Sequence, residues 1–278
     1  MPVQNSIVIV NFTQANSLRR MLANLHLEQS MASEVIVVDN ASSDGSAAMV
    51  KRQFPHVKLV RRETNKGFAV GANRGIRQAL GDVIVVCHSD LVADIHVLAE
   101  LADRVREGAS RRVVAAVPRV LDEDGGEQPF VGELPGLGRA VVGVYKPETA
   151  HRCDVPSLDH VADHEWARFT CVALSGDFIG AAGAFDERFF LYWADADLCQ
   201  RIHDRSYRIL IAPDLKVAHT GRSPNDELPP RLARLMRKDQ ERYFAKHRPK
   251  WQHGVLKLST KLKKLIRKDP TDVDARGA

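Results

Sequence analysis

Short runs of β-branched residues alternate with segments of helical periodicity over the first 121 residues. Near-continuous Val and Ile runs are typical of strands buried on both faces, as in parallel sheets covered by helices. Four such runs are each followed by a helical pattern, near residues 16–29, 43–53, 67–80 and 94–107, and a fifth run follows: SIVIVNF, EVIVVDN, VKLVRRE, DVIVVCH and RRVVAAVPRV. The alternation predicts a doubly wound α/β fold.

Polar residues end each of the first four apolar runs: Asn11, Asp39 and Asn40, Glu63 to Lys66, and His88 to Asp90. In open α/β sheets, ligands bind beyond the carboxyl ends of the strands. These residues therefore mark the predicted ligand edge. From 122 to 168 the periodicity fades into Gly- and Pro-containing sequence, which indicates irregular connections around that edge.

The segment VDNASSDGS follows the second strand and precedes a helix. Asp and Ser are good helix caps, and we expect Ser43 or Asp44 to cap this one. Capping does not account for Asp39 at the strand terminus. Its carboxylate can accept a hydrogen bond from a ribose or from a pyrimidine ring N–H, so structural and nucleotide-binding roles both stay open.

Three glycines in NKGFAVGANRG, Gly67, Gly71 and Gly75, are four residues apart. On a helix they form one small-residue face, which permits close approach to a sheet or ligand, and the first N–H groups can meet a phosphate. The spacing matches neither the GxGxxG of dinucleotide folds nor the GxxxxGK[ST] of P-loops. Those two classes of site are disfavoured.

Asp90 and His219 are candidate metal ligands. Asp90 ends the fourth strand, and Asp94 is the better cap for the helix that follows. A carboxylate at this edge is suited to Mg²⁺ or Mn²⁺, which prefer oxygen ligands and bridge to substrate phosphates. His219 ends the last strand, in KVAHTGRS. A lone His is more often structural, but this position makes it a candidate second ligand.

Composition adds three limits. Hydrophobic residues make up 44% of the chain and charged residues 27%, which is ordinary globular usage. No apolar run reaches the roughly 18 residues of a membrane span, and no secretory signal is apparent, so we expect a cytoplasmic protein. The cysteines, Cys87, Cys153, Cys171 and Cys199, lack CxxC spacing, and we expect neither disulfides nor a zinc site.

The C-terminal region is strongly basic, with 14 Lys and Arg against 2 acids over residues 231–268. Residues 232–250 are expected to form a helix on the body of the protein. The following VLKLSTKLKKLIRK has the pattern of an interfacial helix, drawn to anionic lipid by about 1 kcal/mol per basic residue. A docking helix with a solvated face and a nucleic-acid patch are the alternatives. Its apolar stripe is Val255, Leu258, Leu262, Leu265 and Ile266.

Taken in order, six motifs resemble glycosyltransferase family 2, and especially the bacterial rhamnosyltransferase-like members that extend polysaccharides or lipid-linked glycans. The resemblance covers roughly residues 5–225 and implies a GT-A (Rossmann-like) fold with a mixed, mostly parallel sheet flanked by helices. It divides the chain into a nucleotide-sugar-binding and catalytic domain, 1–225, and a basic helical extension, 226–278. The motifs are VIVNF, VDNASSDGS, NKGFAVGANRG, SD, GAFDERFFLYWADADLC and HTGRS.

The resemblance implies a nucleotide-diphosphate sugar donor of UDP or dTDP type, Mg²⁺ or Mn²⁺ on its diphosphate, and inversion at the anomeric carbon. Asp90 and His219 would lie near the metal. The implied donor side comprises Asn11, Asp39, Asn40, Lys66, Gly67, Asn73, Ser89 and Asp90.

Asp195 falls on the Asp of the family's Glu-Asp pair, which acts as general base. In an in-line displacement one carboxylate must accept the proton of the attacking hydroxyl, which agrees with that role. Asp197 is two residues away, and on a helix it points in another direction. It is better interpreted as a first-turn acid that suits the helix N-terminus. A role on the acceptor side, with Trp193 and Ala194, stays open.

Three positions depart from the family pattern. Ala194 stands where the family usually has Glu, so we expect altered acceptor handling. Phe169 and Thr170 replace a usual Gly-Ala pair, which suggests a reshaped sugar pocket. His88 stands where relatives often have Asn or Asp, with altered contacts to donor or metal.

The resulting prediction is a metal-dependent inverting glycosyltransferase that moves a sugar, for example a deoxyhexose such as rhamnose, to a glycan or polyprenyl-linked acceptor in cell-surface polysaccharide synthesis. We expect it in the cytoplasm, peripheral on the anionic inner face of the membrane. A catalytically impaired nucleotide-sugar-binding relative is the alternative. A nucleic-acid partner is disfavoured, and an oligomer is left open.

Overall fold

The computed structural model describes residues 3–25, 33–142, 159–160, 165–221 and 229–266. Within them, a nine-stranded sheet runs in the order β3-β2-β1-β4-β10-β6-β11-β5, with β8 paired to β11, and β7 pairs with β9 apart from it. The strands are β1 Asn5–Asn11, β2 Ser33–Asp39, β3 Lys58–Arg61, β4 Val83–His88, β5 Leu91–Val92, β6 Val113–Leu121, β7 Val131–Glu133, β8 Asp159–His160, β9 Glu165–Ala167, β10 Cys171–Ser175 and β11 Arg208–His219.

Helices flank the large sheet. The second begins three residues later than the sequence pattern indicates, and the third ends at Ile76 rather than near 80, because a turn precedes β4. The helices are α1 Ala15–Asn24, α2 Ser46–Gln53, α3 Phe68–Ile76, α4 Ile95–Glu107, α5 Leu137–Val142, α6 Gly176–Ala182, α7 Ala194–His203, α8 Pro230–His247 and α9 Lys250–Ile266.

The sheet is mixed and mostly parallel, as expected. Strands β3, β2, β1 and β4 are mutually parallel, and β6 and β11 run in the same direction because β10 lies antiparallel between β4 and β6. All seven residues of β1 are buried. Helices cover both faces of these strands, which explains why their sequences are almost continuously apolar.

The glycine face of α3 lies against the sheet. A Cβ at Gly75 would collide with the Val8 side chain, and one at Gly71 would lie 2.7 Å from Asn40 Nδ2. The four-residue glycine spacing therefore serves close helix–sheet packing over β1 and β2.

The C-terminal helices pack on the body of the protein. Tyr243 and Phe244 of α8 are fully buried, as is Leu256 of α9, and Lys263 Nζ donates a hydrogen bond to Val141 O of α5. The expected helix over 232–250 is thus present, with a break before Lys250. The boundary placed between 225 and 226 lies outside the described residues. None of the described helices is long and apolar enough to cross a membrane.

Candidate active site

The ends of β1 and β2 form a buried polar floor. Their last residues, Asn11 and Asp39, are neighbours in register, and Asn11 Nδ2 donates to Asp39 Oδ1 at 3.2 Å and to Ser42 Oγ at 3.1 Å. Both side chains are completely buried, yet Asn11 Oδ1 has no hydrogen-bond partner among the described residues. An orphaned buried acceptor indicates room for a ligand donor here.

The N-cap of α2 is Gly45 rather than Ser43 or Asp44, but Asp44 still binds the start of the helix from one residue before the N-cap. It accepts hydrogen bonds from Ser46 N at 3.1 Å and Ala15 N at 2.8 Å, so one carboxylate fixes the starts of α1 and α2. Burial opposes ionisation, but these hydrogen bonds outweigh it and lower the pKa of Asp44. Besides the hydrogen bond from Asn11, Asp39 accepts one from Ser42 N at 3.3 Å.

Two amides expected on the donor side bind protein groups. Asn40 Nδ2 donates to Gly67 O at 3.2 Å, and its Oδ1 accepts from Arg62 Nη1 at 3.0 Å. Asn73 Nδ2 donates to Phe185 O at 2.7 Å, and its Oδ1 accepts from Phe185 N at 3.1 Å. Asn40 and Asn73 therefore anchor the α3 start and the segment before α7, and their contact with a donor stays a prediction.

Gly67 brings α3 against the segment that precedes α7. Its φ is +98°, and any Cβ would collide with the carbonyl of Phe190. That same carbonyl accepts a hydrogen bond from Phe68 N at 2.6 Å. Gly67 is thus required for a backbone-to-backbone contact, while neighbouring Lys66 is exposed at the helix start.

His88, Asp90 and His219 converge where β4 and β11 end. Their candidate ligand atoms all lie within 4.8 Å of one another. His219 Nε2 is 3.3 Å, and His88 Nδ1 3.9 Å, from Asp90 Oδ1. The short strand β5 pairs with the end of β11 and so draws the two strand ends together. The structure thus adds His88 to the pair expected from the sequence.

Two glutamines that the sequence did not indicate orient this cluster. Gln128 Nε2 donates to His219 O at 3.4 Å, so its Oε1 is the atom that faces His219 Nδ1, at 3.1 Å. Since Oε1 only accepts, Nδ1 carries the proton. Gln14 Nε2 donates to Asp90 Oδ2 at 3.1 Å, and Ser89 Oγ donates to Gln14 Oε1 at 2.6 Å.

The protonation states suit cation binding. Burial lowers the pKa of His88 to about 4, so the ring is neutral at pH 7. Burial alone would raise the pKa of Asp90, but His219 and His88 bring it well below its usual range. Asp90 Oδ1 is buried without a hydrogen bond among the described residues. His219 Nε2 therefore faces an ionised carboxylate, and the three side chains together offer the nitrogen and oxygen atoms that a divalent cation binds.

Asp195 and Asp197 occupy different environments in the first turn of α7. Asp195 is half-buried, its Oδ1 accepts from Ala196 N at 2.8 Å, and burial raises its pKa to about 6. Asp197 is completely buried and pairs with Lys246, His247 and Arg201. Asp197 is therefore shielded from an acceptor, and only Asp195 has the properties of a base.

The remaining acceptor-side candidates are covered by protein. Trp193 is 3% exposed and packs on Tyr243, with ring centroids 5.2 Å apart. Ala194 is 2% exposed. The position that departs from the usual Glu thus lies beneath the surface.

Residues 168–170 connect the metal-ligand cluster with Asp195. Thr170 O accepts a hydrogen bond from His88 N at 3.0 Å, and the backbone of Phe169 hydrogen-bonds Asp195. The charge of Arg168 acts on the pKa of both His88 and Asp195. Arg168 therefore lies within electrostatic range of both the candidate ligand cluster and Asp195.

An unbroken row of rings runs through this site. Neighbouring centroids are 6.0, 4.9, 5.6 and 6.4 Å apart, and all four contacts are edge-to-face. The row joins the candidate ligand cluster to the hydrophobic core, in which Phe169 and Phe185 are buried. In order, its members are His219, His88, Phe68, Phe185 and Phe169.

The sequence profile described as Glycosyl transferase family 2 matches residues 6–154. The chain belongs to glycosyltransferase family 2. An N-acetylglucosaminyl-diphospho-decaprenol L-rhamnosyltransferase of Mycobacterium tuberculosis is 30% identical over 247 residues, which cover 80% of this chain and 79% of that protein. A dolichol-phosphate mannosyltransferase of Pyrococcus furiosus is 28% identical over 143 residues, 50% of this chain and 40% of that protein.

Solved structures share the fold of this family 2 member. GalNAc-T7, crystallised with UDP, GalNAc and Mn²⁺, superposes with a TM-score of 0.60 at 16% sequence identity. The match covers 88% of this chain and 50% of the GalNAc-T7 chain. The mannosyltransferase PcManGT of Pyrobaculum calidifontis, with GDP-Man and Mn²⁺, has a TM-score of 0.54 at 18% identity over 92% of this chain and 70% of that one. The fold is GT-A, and the protein is a glycosyltransferase.

Proposed function

We propose that this glycosyltransferase moves a sugar from a nucleotide-diphosphate donor to a hydroxyl of a lipid-linked glycan, with inversion and with Asp195 as general base. The observation that carries the proposal is the connection through residues 168–170. It joins a base with a pKa of about 6 to a cluster suited to a divalent cation. Sugar transfer from a diphosphate needs both proton removal and leaving-group neutralisation, and this connection supports placing the two functions in one site.

Asp195 would take the proton of the acceptor hydroxyl as that oxygen attacks the anomeric carbon. A pKa of about 6 leaves the carboxylate ionised at neutral pH and makes it a stronger base than an ordinary Asp. Direct attack, with departure of the nucleoside diphosphate from the opposite face, inverts the anomeric centre. The neighbouring Ala194 takes no part because it has no ionisable group.

His88, Asp90 and His219 would hold the divalent cation. Two imidazoles and one carboxylate suit Mn²⁺ better than Mg²⁺, which prefers a shell of oxygens. When bound, the cation would supply positive charge to the leaving diphosphate. Gln128 and Gln14 keep the ligand atoms oriented through the hydrogen bonds to His219 and Asp90.

The polar floor would receive the nucleotide. Asn11 Oδ1 and the Asp39 carboxylate are acceptors, so they suit the imide N–H of uracil or thymine or a ribose hydroxyl, which supports a UDP or dTDP donor. Exposed Lys66, at the start of α3, is available to a phosphate.

A deoxyhexose such as rhamnose is the proposed sugar. The Mycobacterium tuberculosis relative is named as an L-rhamnosyltransferase that acts on N-acetylglucosaminyl-diphospho-decaprenol. Phe68, which is half-buried beside His88, supports the same class because an apolar ring surface is matched by the methyl group of a 6-deoxy sugar. A polyprenyl-diphosphate glycan is the corresponding acceptor class, and cell-surface polysaccharide synthesis the corresponding role.

Helix α9 would place the enzyme on the membrane that carries such an acceptor. Leu256 of α9 is buried against the protein. On another face of the helix, the side chains of an apolar stripe are 42–63% exposed, and exposed lysines such as Lys257 and Lys261 accompany them. Apolar and basic residues together suit an anionic lipid surface on the cytoplasmic side. The exposed stripe is Trp251, Val255, Leu258 and Leu262. The side chains of Leu265 and Ile266 lie outside the described residues.

A panel of nucleotide sugars, scored first for Mn²⁺-dependent thermal stabilisation and then for transfer to a polyprenyl-diphosphate acceptor, tests the proposal. A donor at about 100 times its Kd adds about 2.7 kcal/mol to the stability. Transfer by the wild type and not by Asp195→Asn is the expected result. Donor binding without turnover under every acceptor would instead support the catalytically impaired relative.

A further inference from the structure

We propose that helix α8 positions the catalytic base. It binds the irregular segment 186–193 and the first turn of α7, and so determines where Asp195 lies. The inference rests on the proposed role of Asp195. It assigns a function in transfer to Asp239, Lys246 and Tyr243, which lie outside the donor and cation sites.

Asp239 holds the backbone of the segment before α7. It is completely buried, and its Oδ2 accepts hydrogen bonds from Phe190 N at 3.1 Å and Leu191 N at 3.3 Å. On the opposite side, Phe190 O accepts from Phe68 N of α3. The segment is therefore fixed between the helix that starts at the donor edge and the C-terminal helix.

Lys246 ties the two ends of the same stretch together. Its Nζ lies 2.7 Å from Asp186 Oδ2 and 2.6 Å from Asp197 Oδ1. His247 Nε2 lies 2.7 Å from the same Asp197 oxygen, and Arg201 Nε is 2.9 Å from the other. Asp197, two residues beyond the proposed base, is thus a buried anchor for the first turn of α7. Its position in the sequence did not indicate this role.

Trp193 is held in the left-handed region at the start of α7. Its φ is +68°, a conformation that is unfavourable for a residue with a side chain and that persists only where its surroundings impose it. Tyr243 and Phe244 of α8 supply those surroundings, with ring centroids 5.2 and 6.4 Å from Trp193. Asp195 follows two residues later, so the backbone conformation of Trp193 sets the direction in which the Asp195 side chain projects.

The ion pairs and hydrogen bonds of α8 suit a role in orienting segment 186–193 and the first turn of α7 more than a role in the overall stability of the protein. Buried ion pairs add little net stability compared with apolar packing, but they fix geometry. Substrate-binding residues of the donor floor and the cation cluster have no hydrogen bond or ion pair to α8 among those that the structure describes. Loosening α8 should therefore lower kcat while donor affinity is maintained.

Asp239→Leu and Asp239→Asn, with exposed Lys238→Ala as control, separate positioning from folding. We expect Asp239→Leu to lose about 10-fold or more in kcat for transfer with donor KM within about 2-fold. Asp239→Asn, whose Oδ1 still accepts both N–H groups, should keep kcat within about 3-fold of wild type. If Asp239→Leu does not fold, Lys246→Met and Lys246→Arg provide the same comparison, with the Arg variant as the rescue.

Wild-type kcat in a folded Asp239→Leu variant would overturn the inference, as would loss of kcat and donor affinity in parallel. Asp195→Asn is measured alongside. If it is inactive while Asp239→Leu is fully active, only the role of α8 fails. If it keeps wild-type turnover, the proposed base itself is wrong.

Discussion

His219 Nε2 lies 3.3 Å from Asp90 Oδ1, and the candidate ligand atoms of His88, Asp90 and His219 all lie within 4.8 Å of one another. Gln128 Oε1 accepts a hydrogen bond from the other ring nitrogen, and the two histidines hold the pKa of Asp90 well below its usual range. A carboxylate with two imidazoles around it offers the oxygen and nitrogen atoms that a divalent cation takes as ligands. This relationship makes the cluster a candidate metal site.

Removal of the cation should therefore remove activity. We expect EDTA to abolish transfer and Mn²⁺ to restore it more effectively than Mg²⁺. Gln128→Leu should weaken Mn²⁺ binding about 10- to 100-fold, because it frees the His219 ring to rotate and to change tautomer. Isothermal titration with Mn²⁺ measures this, with exposed Asp124→Asn as the matched control. Unchanged Mn²⁺ affinity in both Gln128→Leu and Asp90→Ala would contradict the assignment.

The pH dependence of transfer should report Asp195. Its pKa is raised to about 6, and the base must be ionised, so the acceptor kcat/KM should rise with pH through about 6 and then level. Asp195→Asn should lower the rate about 10²- to 10⁴-fold and abolish this limb. A rate profile taken from pH 4.5 to 8.5 gives both. A wild-type limb centred near pH 4 would mean that the base is an ordinary exposed carboxyl.

Burial of the Asp195 carboxylate should cost stability. The folded pKa of about 6 exceeds the ordinary value of 3.8, so this group's contribution falls as pH rises between those values. At pH 8, Asp195→Asn should raise the free energy of unfolding by about 1–3 kcal/mol, since one pKa unit is about 1.4 kcal/mol. At pH 3.5 the gain should vanish. Urea unfolding at the two pH values measures it, and an equal gain at both would exclude an ionisation effect.

Membrane binding should depend on the exposed face of α9. The double variant Trp251→Ser, Leu258→Ser should lose most of its binding to vesicles with anionic lipid, and added salt should weaken wild-type binding. Leu80→Ser, at an exposed leucine away from α9, is the control. Co-sedimentation with neutral and anionic vesicles measures it. Equal binding by the α9 variant and wild type would show that this face is not the docking surface.

The features that depend on local pattern and on strand order, namely the sheet and the strand-end residues, were predictable from the sequence. Continuous Val and Ile runs indicated the sheet, and polar residues at strand ends indicated Asp90 and His219, which do meet. Gln14 and Gln128 had no such signal, because their hydrogen bonds cross 76 and 91 residues and depend on how strand ends converge. The helix α8 was expected over 232–250, but its hydrogen bonds to Phe190 and Leu191 had no local signal for the same reason.

For Asn40 and Asn73, the sequence indicated the location but not the hydrogen-bond partners. Their positions beside the donor edge suggested ligand contact, but each amide binds backbone of a distant segment. Asp197 likewise pairs with His247, 50 residues along the chain, which helix periodicity alone does not indicate. Residue type and spacing identify the edge of the site; which side chains remain free at that edge depends on tertiary packing.

The most direct test is the stereochemistry and rate of transfer by wild type and Asp195→Asn, with the donor found by the nucleotide-sugar panel, Mn²⁺ and a polyprenyl-diphosphate N-acetylglucosamine acceptor. NMR of the glycosylated product gives the anomeric configuration. We predict inversion by the wild type and a rate about 10²-fold or more lower for Asp195→Asn, with donor affinity retained. Retention of configuration, or equal rates for the two proteins, would contradict Asp195 as the base of a direct displacement.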